Sequence, residues 1–137
     1  MKKITKSLVA IFMIAILSMT SVTSLASNEG ISPRLSHANG ADFSFSATSN
    51  GGHLDVTYLG YDSFVRADLT VTIEKRFLLV LWNEVGFWRT TSTDKYGHFY
   101  NLIPLDGSGK YRATFTLLIT GNDGTVDTIT FELEDSY

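Results

Sequence analysis

From residue 41 onward, apolar and polar residues alternate in short runs separated by turn-forming residues. In ADFSFSAT, Phe43, Phe45 and Ala47 alternate with Asp42, Ser44, Ser46 and Thr48. Successive side chains of a strand point to opposite faces, so this run predicts one apolar and one wet face. After the turn SNGG at 49–52, Leu54, Val56 and Tyr58 alternate with His53, Asp55 and Thr57. GYDS at 60–63 leads to a third strand with Ala67, Leu69, Val71 and Ile73 on one face. A fourth strand is expected within 82–91. A fifth, at 98–102, follows the turn TDKYG and stops at Pro104. The most regular alternation is KYRATFTLLIT, where Tyr111, Ala113, Phe115, Leu117 and Ile119 face inward. GNDG at 121–124 predicts a hairpin loop before a last strand carrying Ile129, Phe131 and Leu133. About seven short strands with regularly spaced turns, and no amphipathic helix among them, predict an all-β fold: a single antiparallel β-sandwich.

One stretch breaks the alternation. Residues 77–82 read FLLVLW, six apolar residues between Lys75-Arg76 and Asn83-Glu84. A straight strand over 66–82 would span roughly 56 Å, against a radius of gyration near 13 Å for a compact chain of about 100 residues, so the strand must turn or end somewhere near 75–81. No Gly, Pro, Asn or Asp marks that turn. Three readings follow. The run caps one end of the sandwich and is buried; part of it is exposed to a partner, a second copy or a membrane; or 77–88 is a short helix. Dense apolar patches are uncommon on soluble monomers, which favours the buried cap. Gly86 breaks a helix but suits a bulge, and a bulge would bring Val85 and Trp88 onto one face.

The first residues change the picture of where the chain works. Lys2, Lys3 and Lys6 precede an apolar stretch at 8–17, too short to span a bilayer comfortably, and Ser24-Leu25-Ala26 fits a signal-peptidase site. The expected organisation is a cleaved secretory signal peptide at 1–26, an extended polar leader at 27–40 and the sandwich domain at 41–137. Removal of 1–26 takes three of the eleven basic residues and none of the fourteen acidic ones. Eight against fourteen leaves a net charge of −6. That disfavours nucleic acid and anionic lipid as electrostatic partners. The absence of cysteine excludes disulfides and thiolate metal sites, so the core must carry the fold. The thirteen threonines after residue 26 suit half-exposed strands.

Two resemblances refine the expectation. GSGKYRATF resembles the penultimate strand of immunoglobulin-like sandwiches, whose Gly-x-Tyr-x-Cys pattern carries a tyrosine corner. Gly109 and Tyr111 match it, Ala113 stands in the cysteine position, and Gly107 replaces the usual acidic residue. The chain after residue 26 also resembles a group of small secreted proteins of Gram-positive bacteria, through Ser32-Pro33-Arg34, LTVTIEKR, Trp82 with Val85, and GKYRATFT. That resemblance implies export and an immunoglobulin-like sandwich. It brings no activity and no catalytic residues.

Chemical motifs are sparse. His37, His53 and His98 have no His or Cys partner at a ligating spacing. His53 and Asp55 share a strand face, and Asn122, Asp123 and Asp127 lack the order of an EF-hand loop. No P-loop, nucleophile elbow, Rossmann glycines or zinc-protease motif is present, and no carboxylate pair stands out for glycosidase work. Trp82, Trp88, Tyr96, Phe99 and Tyr100 crowd one region. Such rings stack on sugars at binding faces, but a small core without disulfides also needs them. The expectation is therefore a secreted, non-enzymatic interaction module for a protein or cell-envelope partner, with no cofactor and no metal. The alternative is a membrane-active factor that uses the run at 77–82. The candidate binding residues are Phe77, Leu78, Val80, Trp82, Trp88 and Tyr96.

Overall fold

The computed structural model describes residues 35–137. The expected signal peptide and most of the expected leader lie outside them. Seven strands follow in order: β1 (Ala38–Thr48), β2 (Gly51–Gly60), β3 (Phe64–Phe77), β4 (Leu81–Ser92), β5 (Tyr96–Ile103), β6 (Lys110–Gly121) and β7 (Val126–Ser136). They form a β-sandwich of two antiparallel sheets, ordered β1-β2-β5 and β4-β3-β6-β7. No helix occurs among the described residues, so the helical reading of 77–88 fails.

Both inner faces follow the alternation. Leu54, Val56 and Tyr58 of β2 meet Ala67, Leu69, Val71 and Ile73 of β3, and all five inward residues of β6, Tyr111 to Ile119, are fully buried. Side chains of this size gain about 1.5–3 kcal/mol each on full burial, which is how a chain without disulfides holds together. On β7 the pattern weakens. Ile129 and Leu133 pack on the core, while Phe131 is half exposed and stacks on Phe43 at 5.4 Å between centroids. An edge strand has a neighbour on one side only, so its inward side chains are only partly covered.

Two turns of phrase in the sequence acquire a structural cause. The Tyr111 hydroxyl turns back to the carbonyls of Asp106 and Gly107, at 2.8 and 2.5 Å, and so ties the β5–β6 loop to the core. In β4, Ile73 pairs with Gly86 and Glu74 with Glu84, leaving Val85 as the extra residue of a bulge. A Cβ at Gly86 would lie 2.9 Å from Ile103 Cγ2, so glycine is needed where the bulged strand presses on the opposite sheet. The bulge turns both Val85 and Trp88 toward the core, as expected from Gly86.

The domain starts earlier than residue 41. Strand β1 begins at Ala38, and His37, assigned to the extended leader by its polar context, is 3 % exposed. Its backbone N–H donates to Asp127 Oδ2 at 2.6 Å. Its ring bridges Ser63 Oγ at 2.8 Å and Thr125 Oγ1 at 2.6 Å. Thr125 in turn donates its hydroxyl proton to Asp123 Oδ1 at 2.7 Å. The ring lies against the backbone of Gly121, where any Cβ would stand 2.1 Å from it.

Candidate functional site: the apolar β3–β4 hairpin tip

The ladder between β3 and β6 ends at Lys75 opposite Tyr111. The ladder between β3 and β4 continues through Arg76 opposite Trp82 to Phe77 opposite Leu81. Residues 76–82 are therefore a two-stranded ribbon that runs past the end of its neighbour. Leu78, Leu79 and Val80 make the turn. The run is not a buried cap. Phe77 is 54 % exposed, Leu78 69 %, Leu79 79 %, Val80 74 % and Leu81 46 %. The cap reading assumed that the chain end of the sandwich would cover the run. It fails because β6 stops at Lys110 and no strand lies beside the ribbon.

The turn is built from residues that turns rarely use. Leu78 has φ +56°, the only positive φ of a non-glycine among the described residues. That conformation costs a β-carbon-bearing residue roughly 1–2 kcal/mol. Arg76 stabilises the turn from below. Its guanidinium donates to the Leu79 carbonyl from Nε, at 2.7 Å, and from Nη2. The carbonyl of Leu79, the most exposed residue of the tip, thus has a charged partner from within the ribbon.

At the base of the ribbon the chemistry becomes amphipathic. The half-buried Trp82 lies under the Arg112 guanidinium, 4.4 Å from ring centroid to Cζ, within cation–π range. Glu74 holds Arg112 in place at 2.8 Å to Nε and 2.6 Å to Nη2. The Lys75 ammonium donates to the Asp106 carbonyl and sits 5.6 Å from the Tyr111 ring.

Of the residues expected to bind, Phe77, Leu78, Val80 and Trp82 come together in this ribbon. Trp88 does not. It points inward and meets Phe99 edge-on, at 6.4 Å and 88°. Tyr96, 71 % exposed, lies on the outer face of the other sheet opposite Leu59. There it borders a shallow groove of about 560 Å³ with Asn39, Asp42, Thr57 and Leu59. Leu79 and Arg76 were missed. Leu79 has the same residue type as its neighbours, and the role of Arg76 depends on a turn that no residue type announced.

The polar clusters are satisfied within the protein. Asp55 pairs with His98 at 2.9 Å, and His53 with the Tyr100 hydroxyl at 3.1 Å. Asp123 accepts from the Thr125 hydroxyl and N–H, which hold its carboxyl below the ordinary 3.8. Among the described residues no three His, Cys, Asp or Glu side chains are grouped to hold a metal ion.

No family model and no curated protein matches the chain. Among solved structures it is similar to a family 76 glycoside hydrolase from a bovine Bacteroides thetaiotaomicron strain, with TM-score 0.39 and 11 % identity. The match covers 74 % of this chain and 20 % of that one. The chain thus spans about a fifth of that enzyme's length, and a likeness at this level brings nothing of its activity to this protein.

Proposed function

We propose that this chain is a secreted, non-enzymatic, immunoglobulin-like interaction module that docks on the cell envelope through the β3–β4 hairpin tip. The observation that carries the reading is the exposure of five consecutive apolar side chains on a ribbon that projects past the rest of its sheet. Such a patch costs solubility and invites aggregation, so its retention at a projecting turn favours a binding role. The strained Leu78 points the same way, since a glycine there would relieve the backbone. The bond from the Tyr111 hydroxyl to the preceding loop supports the immunoglobulin-like assignment. The resemblance to small exported proteins of Gram-positive bacteria supports a secreted role.

A cell-envelope surface fits the tip better than a protein partner. Residues 77–81 carry no polar side-chain atom, whereas protein interfaces use about one hydrogen bond per 100–200 Å². Cosedimentation with cell envelopes of the producing cells tests the reading. The parent should pellet with them. The double variant Leu78→Asp/Val80→Asp should stay in solution and keep its melting temperature, because both side chains are already in water. Equal pelleting of the two proteins would remove the tip from any docking role.

A further inference from the structure

We infer that the surface met by the hairpin tip is the interfacial zone of a lipid bilayer, entered by residues 77–81 with Trp82 and Lys75 at headgroup level. The inference rests on the docking role proposed for the tip and names its partner.

Four features of the ribbon match what a bilayer interface demands. The first is its reach. Beyond the last β3–β6 pair, two residues per strand and the turn extend about 10 Å, comparable with the roughly 5–10 Å to which interfacial elements are buried. The second is the absence of a single apolar face. Phe77 and Leu81 pair side by side, and Leu78, Leu79 and Val80 occupy the turn, each at least 46 % exposed. A wedge that is apolar all round suits a fluid medium, which needs no matching shape. The third is backbone satisfaction. Irregular backbone is costly in an apolar medium unless its polar groups are bonded within the protein, and Arg76 supplies that bond to Leu79. The fourth is the collar. Trp82 combines an apolar ring with an N–H, the combination enriched where hydrocarbon meets headgroups. Lys75 and Arg76 are in no ion pair among the described residues, whereas Lys110 and Arg112 at the same end are paired with Glu134 and Glu74. Lys75, at the base of the ribbon beside Tyr111, lies where lipid phosphates would meet it, while the Arg76 guanidinium is held by the Leu79 carbonyl.

The lack of cysteine permits a direct test. Protein purified from culture supernatant is prepared as Leu79→Cys and, separately, as Asn122→Cys in the loop after β6, at the opposite end of the sheet. Each is labelled with an environment-sensitive fluorophore and mixed with phosphatidylcholine vesicles. The label at 79 should brighten several-fold and shift blue, and the label at 122 should not change. Leu78→Asp/Val80→Asp in the Leu79→Cys background should abolish the response. An equal response at both positions means nonspecific adsorption and overturns the inference. A response at 79 that appears without lipid as protein concentration rises makes a second copy the occupant and overturns it as well. A silent label at 79, with tip-dependent cosedimentation on cell envelopes retained, overturns the lipid assignment and leaves the docking role standing. Loss of both removes both.

Discussion

Arg76 and Leu79 form a closed unit at the end of the β3–β4 ribbon: the guanidinium of one holds the carbonyl of the other through two N–H donors, three residues apart. This contact lets an apolar turn persist without glycine, proline or asparagine. Arg76→Ala should lower stability by about 1 kcal/mol, below the usual range for a charged hydrogen bond because the site is exposed. It should also speed hydrogen exchange across 77–81 while leaving β6 protected. Unchanged exchange in the turn would show that the contact does not order it.

Leu78 stores strain that glycine would not. Leu78→Gly should raise stability by about 1 kcal/mol, since the left-handed conformation is then reached without a Cβ clash. The same change should weaken envelope binding by removing an apolar side chain. Urea denaturation and cosedimentation of the same variant would reveal whether stability and binding move in opposite directions; a loss of both would mean that Leu78 packs more than it strains.

Phe115 is fully buried at the centre of β6, and its ring meets Phe43 at 5.3 Å. Phe115→Ala should cost about 3–5 kcal/mol. Thr114, one residue away, points outward, and Thr114→Ala should cost less than about 0.5 kcal/mol. Equal shifts of the urea midpoint would contradict the face assignment.

Acid should expose the role of Asp123. Hydrogen bonds from the Thr125 hydroxyl, then the Thr125 N–H, hold its carboxyl below the ordinary 3.8 in the folded protein. A depressed folded pKa means that the unfolded chain takes up the proton first as pH falls. The contribution is present above about pH 4 and is lost as pH drops through the lowered value. Asp123→Asn keeps an acceptor oxygen but removes the charge. Parent and variant should therefore differ in melting temperature near neutral pH and converge in strong acid. A difference that stayed constant across that range would assign the effect to packing.

Export is checked by mass. Culture supernatant should contain a chain beginning at Ser27, with a net charge of −6 from the eight basic and fourteen acidic residues that remain. Recovery of cell-bound protein beginning at Met1 alone would make the N-terminal stretch an anchor.

The inward faces of β1, β2, β3 and β6 were determined by the sequence alone. A strand's side chains alternate by covalent geometry, so Leu69, Val71 and Ile73 must share a face wherever β3 lies. The turns marked by Gly, Asn or Asp were legible for a local reason too, and so was the bulge at Gly86, whereas the turn at 78–80 was not. Two features were not local. His37 reads as leader because its partners Ser63, Thr125 and Asp127 are 26, 88 and 90 residues away, and only the closed sandwich brings them to one ring. The apolar run at 77–82 reads as core because its composition is that of a core. Whether it is covered depends on where β6 ends and on what lies beside the ribbon, and neither is written in the run itself. Tertiary structure left it in solvent because the β3–β4 pairing outruns every neighbouring strand at that end.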